Sequence, residues 1–251
     1  MKYLLITLTC LFTPAHALPL LSGTTFNDQD CSNIIMQLDH SQTADSFAVA
    51  ARCTLVDAMT RPDFSPPEAV LLKAEAFARQ AVEKDPSHIE GRLQLAISLS
   101  LRARPLSTRA AMRSGLGDEA KALAVSVLED DPDNYYAHGF MAVWNIEVVR
   151  RGGSVGSAVM GASVKKAHKH YKAALTSNAA DVPTHWQYAR ALAALNAKKY
   201  RDEIKAALDA TINVETTGVL DLVMQERAKT LSNALATQKR RNVEALAERM
   251  L

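Results

Sequence analysis

Along most of this chain apolar residues return every three to four positions, the spacing of an amphipathic helix. Polar breaks cut the pattern into segments that fall into pairs. The predicted helices cover 29–39, 45–60, 67–84, 88–102, 116–130, 134–150, 162–177, 184–196 and 200–210. A longer stretch over 219–248 carries Leu220, Val223, Met224, Leu231 and Leu235 on one stripe, with Lys239, Arg240, Arg241 and Glu244 thickening beyond it. The stripe is too short for three clean heptads, so a capping helix that hides the last apolar face of a stack is a better reading than a dimerising coiled coil.

The pairs repeat. Ala81-Val82-Glu83-Lys84-Asp85-Pro86 returns as Val127-Leu128-Glu129-Asp130-Asp131-Pro132, and more loosely as Ala174-Leu175-Thr176-Ser177-Asn178-Ala179. A fourth echo stands at Ala207-Leu208-Asp209-Ala210. Each time an apolar-periodic helix closes on acidic or polar residues, and twice proline marks the boundary. Small residues keep the same phase within these helices: Ala74, Ala78 and Ala81, then Ala120, Ala124 and Val127, then Ala167, Tyr171 and Ala174. Leu95-Ala96 and Met141-Ala142 occupy equivalent places in the preceding helices, and Trp186 takes an aromatic one.

This arrangement resembles the tetratricopeptide repeat (TPR), a pair of antiparallel helices in which small residues allow close approach and large ones fill the grooves between units. The resemblance spans about residues 45–212. It implies an all-α, right-handed solenoid of three to four helix pairs, capped by the segment 213–251. Arg190 departs from it, standing where the family has a small residue. The family resemblance also implies an interaction scaffold, an analogy of fold alone.

Two units are longer than the repeat requires, and in both the surplus lies between paired helices, at 102–115 and 150–162. Equivalent insertions emerge on one edge of a solenoid, where binding loops sit. The first holds Arg102, Arg104, Arg109 and Arg113 and no acid; the second opens Arg150-Arg151-Gly152-Gly153 and carries four of the chain's ten glycines. Together with Asn145 these residues form the candidate partner- or anion-binding set, an edge of guanidiniums and backbone N–H donors suited to an acidic partner. The solvated-loop alternative stands beside it. Asn145 has two readings, lining a polar pocket or fixing the loop through its backbone. Glu147 reads as a surface partner of Arg150 or Arg151. Gly156 and Gly161 have P-loop spacing, but Ala162 stands where a phosphate-reaching lysine is needed, and the preceding element is a helix.

At the N-terminus, Lys2, the apolar run Tyr3–Phe12 and Ala15-His16-Ala17 have the layout of a secretory signal peptide cleaved after Ala17, followed by an extension over 18–44. Leu8-Thr9-Cys10 is a poor lipidation site. Export, most naturally to a periplasm, is therefore expected, and disulfides persist in such a compartment. Cys31 and Cys53 lie at equal offsets from the polar turn around Gln42. An antiparallel hairpin brings such positions level, which predicts a disulfide between them in preference to two separately buried thiols.

Composition narrows the function without naming it. The 251 residues carry 29 basic and 27 acidic side chains, which excludes a globally basic nucleic-acid binder. No later segment is long and apolar enough for a transmembrane helix. His168 and His170 are two apart on a helix, and His138 and His185 lack completing ligands, so no metal or other cofactor is expected. Catalytic motifs are missing as well, and the chain is read as a non-enzyme. The expectation is an exported protein- or peptide-binding scaffold. The alternative is a ligand-handling accessory of a periplasmic transporter, similar in architecture and compartment to the T subunit of tripartite ATP-independent systems. An enclosed pocket would favour the latter and an open groove the former.

Overall fold

The computed structural model describes Cys31, Ile35, Met36 and residues 42–251. The expected signal peptide and most of the helix over 29–39 lie outside these residues. Among the described residues there are eleven helices and no strand: α1 (Ala44–Thr60), α2 (Glu68–Lys84), α3 (Ile89–Ala103), α4 (Thr108–Ser114), α5 (Leu116–Asp130), α6 (Tyr135–Met160), α7 (Val164–Ser177), α8 (Val182–Asn196), α9 (Arg201–Asn213), α10 (Val219–Thr237) and α11 (Arg240–Arg249). The fold is all-α.

The recurring Asp-Pro ends have a structural cause. α2, α5 and α7 stop at Asp85, Asp131 and Asn178, each with extended or otherwise non-helical backbone, and three residues later a polar side chain starts the next helix. His88 Nδ1, Asn134 Oδ1 and Asp181 Oδ2 accept hydrogen bonds from the backbone N–H groups of Gly91, Ala137 and Thr184, each at 2.9 Å. Every such cap satisfies a donor that the helix start would otherwise leave unpaired. The repeat seen in the sequence is thus a repeated stop-and-restart signal.

Neighbours in sequence pack together: α1 on α2, α2 on α3, α3 on α5, α6 on α7 and α8 on α9. The phased small residues lie in these contacts, with Ala74, Ala78, Ala81, Ala120, Ala124, Val127, Ala167 and Ala174 all fully buried. The first helix of one pair also packs on the first helix of another, α1 on α3 and α6 on α8.

The C-terminal segment differs from expectation. It is two helices rather than one, broken where Gln238 and Lys239 are extended. The break lets α11 fold back onto α8 and bury Val243, Ala247, Met250 and Leu251. Burying four apolar side chains outweighs continuing a helix into solvent. α10 in turn reaches α1. Arg227 donates from Nη1 to the Met59 carbonyl (2.6 Å) and the Leu251 main-chain oxygen (2.8 Å), and from Nη2 to the Arg61 carbonyl (2.9 Å), while its guanidinium stacks 4.8 Å from the Phe64 ring centroid. Trp186 Nε1 donates to the same Leu251 oxygen at 2.9 Å. The last helices therefore return to the first.

Cys31 and Cys53 sit at disulfide distance, their Cα atoms 5.3 Å apart. No helix among the described residues is long and apolar enough to cross a membrane.

A half-enclosed cavity under the two insertions

The first helices of the pairs face a common space. α1, α3, α6 and α8 contribute Met59, Ile97, Phe140, Val143 and Pro183 to a half-open cavity of about 340 Å³. Both insertions roof it. The first folds into α4, which starts on a Ser107 cap and ends where Gly115 takes φ 70°, a left-handed conformation that suits glycine. The second is helix on both sides of one break at Gly153 (φ 58°, ψ −154°), so α6 bends and carries Val159 and Met160 over the cavity. An open glycine loop was expected here. Helix displaces it because a single glycine absorbs the bend and Gly161 (φ 65°) closes the end. Lys121 Nζ holds that end by donating to the Met160 carbonyl at 3.0 Å.

The walls come close where a side chain is missing. A Cβ on Gly139 of α6 would stand 2.5 Å from Thr184 Oγ1 of α8, so any other residue here has to push the Thr184 side chain aside. Trp144 is buried and donates from Nε1 to the Gly117 carbonyl at 3.1 Å, tying α6 to the start of α5.

The structure divides the predicted arginines into three groups. Arg102 is ion-paired with Glu75, and Arg150 with Glu147 (2.8 Å) and Glu248 (2.6 Å). Arg109 and Arg113 are exposed and do not line the cavity. Arg104 and Arg151 line it, together with Arg190. Gly152 lines it too, and Gly153 is exposed at the bend. Asn145 is buried; its Nδ2 donates to the Met141 carbonyl (2.8 Å) and its Oδ1 accepts from the Ser163 N–H (3.1 Å), holding the end of the second insertion to α6.

Glu147 is not the surface partner that its spacing predicts. α8 brings Arg190, only 4% exposed, onto it from the far side, and Arg190 Nη2 donates to Glu147 Oε1 at 3.0 Å. Arg150 Nε donates to Oε2 at 2.9 Å. Burial opposes ionisation of this carboxyl, but the guanidiniums of Arg190, Arg150 and Arg104 outweigh it and hold it at about 2. The one hint in the sequence was Arg190, the residue that breaks the small-residue pattern.

The histidines also meet in ways spacing did not suggest. His138 and His170 face each other with Nδ1 atoms 2.9 Å apart, so one ring donates and the other accepts. Burial and then His138 pull His170 down to about 4. Among the described residues no three His, Cys, Asp or Glu side chains gather as metal ligands.

No protein-family model matches the chain, and no curated protein matches it in sequence.

Proposed function

We propose that this protein is an exported ligand-handling module, built as a TPR-like stack of helix pairs, that takes an apolar ligand into the cavity beneath its insertions. One observation carries the reading: the cavity of about 340 Å³, walled by apolar side chains and roofed by both insertions. That size and lining suit a small molecule, and small-molecule sites characteristically combine apolar walls with a few placed polar groups. A TPR-like scaffold that binds only proteins has no use for a roofed interior. The disulfide-distance cysteines favour an exported setting. An accessory role beside a transporter is the cellular task that joins export to a ligand cavity, and no catalytic step is assigned to the chain.

A second reading rests on a separate observation. Met112 (52% exposed), Val155 (76%) and Val159 (73%) stand out from the two roof helices. Met112 and Val159 also line the cavity, so they border its mouth. An apolar rim of this kind fits a protein partner that docks at the mouth, which keeps the scaffold reading alive as the docking half of ligand transfer.

The test is binding of the apolar fluorophore N-phenylnaphthylamine to the full mature chain. Wild type should enhance its emission, and Ile97→Trp, which fills the cavity, should abolish the enhancement while leaving the circular dichroism spectrum intact. An unresponsive wild type, or an Ile97→Trp variant that binds as well as wild type, overturns the reading.

A further inference from the structure

The apolar cavity wall also carries charge: Arg104, Arg151 and Arg190 line it, as do Asp118 and Glu147, and Arg190 is already matched by Glu147. Arg104 and Arg151 have no such partner. Among the described residues neither lies within ion-pair distance of a carboxylate. Both donate only to backbone: Arg104 Nη2 to the carbonyls of Glu248 (2.5 Å) and Met250, and Arg151 to the carbonyls of Ala103 (3.1 Å) and Leu106. A carbonyl orients a guanidinium without neutralising it. Glu147 spends its hydrogen bonds on other arginines, Oε2 on Arg150 and Oε1 on Arg190, and reaches Arg104 only through space.

Arginine carries five N–H donors in a planar fork. At Arg104, Nε and Nη1 have no acceptor among the described residues, so three of the five donors are held in position without a protein partner. A cation in an apolar wall is costly unless something of opposite sign meets it. Consistent with that cost, burial and then Arg190 and Arg150 draw the Arg104 guanidinium down to about 9 against the opposing pull of the Glu147 and Glu248 carboxylates.

We infer that Arg104 and Arg151 hold the anionic head of the ligand, and that the ligand is a carboxylate amphiphile: a long-chain carboxylic acid whose apolar body lies against Met59, Ile97, Phe140 and Val143. The planar fork matches a carboxylate, and the pairing is charge-assisted. The inference rests on the cavity reading above and adds the chemical class of what enters it.

Three decyl compounds with one body and different heads test it by titration calorimetry on the full mature chain: decanoate, decanol and decyltrimethylammonium. Wild type should bind decanoate about ten- to a hundred-fold more tightly than decanol, the range of one charge-assisted hydrogen bond, and the ammonium more weakly than either. Arg104→Met combined with Arg151→Met should bring decanoate to within about two-fold of decanol, with decanol affinity unchanged. Since Arg104 also anchors the chain near Met250, Arg104→Lys and Arg151→Met are made singly; the first should retain much of the preference and the second lose part of it. Equal binding of decanoate and decanol by wild type overturns the anionic head and leaves the cavity reading standing. A decanoate preference that survives the double substitution also overturns it. Failure of every decyl compound to bind overturns both.

Discussion

Arg104 and Arg109 lie on one insertion and belong to one cluster in the sequence, but their surroundings are opposite. Arg104 lines the cavity and bonds to carbonyls near Met250, whereas Arg109, like Arg113, is exposed. The difference is set by helical phase and by what arrives from elsewhere. α4 turns Arg109 and Arg113 outward, while Arg104 precedes it, at the end of α3, where α11 folds back to meet it. A run of like charges in sequence is therefore not a patch in space. Its members are sorted by the elements that return to them, and only those that meet an apolar wall acquire unusual electrostatics.

The sharpest way to break this contrast is through Glu147, the carboxylate that lets two of the inner guanidiniums coexist. Glu147→Leu leaves Arg190 buried without a counter-charge. Removing one member of a buried pair costs about 3–5 kcal/mol, and the lower end applies because the Glu147 side chain keeps 24% exposure. For a chain of this size the melting temperature should fall by about 6–12 °C. The pH dependence gives a second readout. The carboxyl is held at about 2 against an ordinary 4.5, so ionised Glu147 stabilises the fold above its unfolded value and loses that contribution as pH falls from 4.5 toward 2. Wild-type stability should decline through this window more steeply than that of Glu147→Leu. Parallel acid limbs in the two proteins would show that Glu147 is merely a surface group.

Arg227 offers the next test, as an inner arginine with a different task. Like Arg104 it donates to main-chain oxygens, but those of Met59, Arg61 and Leu251 join the two ends of the described chain. Arg227→Met should cost about 2–3 kcal/mol, the worth of one or two charged hydrogen bonds. Amide exchange should quicken locally at Asp57–Arg61 as well as globally. A uniform change in exchange would deny that Arg227 acts as a tie between α10 and α1.

Smaller still is the effect expected at Gly139, whose missing side chain sets the width of the cavity wall. Gly139→Ala gains up to about 1 kcal/mol in helix propensity, but forces Thr184 aside at an overpacking cost of about 1–3 kcal/mol. The net loss should be about 1 kcal/mol, seen as a lower urea midpoint with an unchanged slope. A gain in stability would mean that α6 and α8 have room to spare and that the cavity is wider than the Thr184 contact allows.

Much of the helical layout was legible because its signals are local. The caps at His88, Asn134 and Asp181 follow the helix ends at a fixed offset, and the phased alanines are all buried. Equal offsets from a turn likewise brought Cys31 and Cys53 together. The cavity was far less legible, since it depends on distant returns. Glu147 meets Arg190 across 43 positions and Arg104 meets Met250 across 146. No periodicity in the chain records either contact. The break at Gln238–Lys239 was missed for the same reason: α11 turns back to bury its apolar residues on α8, a demand set by tertiary packing and invisible in the charged stretch that precedes it. Glycines in the second insertion misled in the opposite sense, because one of them is enough to bend a helix and the others need not form a loop.

The outward arginines close the comparison with the smallest expected effect. Arg109→Glu with Arg113→Glu reverses two exposed charges that carry no ion pair among the described residues. Substitutions of this kind on a surface usually stay within about 0.5 kcal/mol, partly because solvent and salt screen them. The melting temperature should move by about 2 °C or less, and the affinity for decanoate should stay where it was, since neither residue lines the cavity. That silence is informative when set beside Arg104→Met combined with Arg151→Met, which should alter head-group preference although Arg104 is only five positions from Arg109. If the double reversal instead shifts decanoate binding as strongly, the insertion acts as one electrostatic surface and the division between inner and outer arginines fails. Should it leave fold and ligand untouched but release a partner captured by the wild-type chain, the outer pair belongs to the docking rim beside Met112. The insertion would then serve two tasks, one from each face of a short helix.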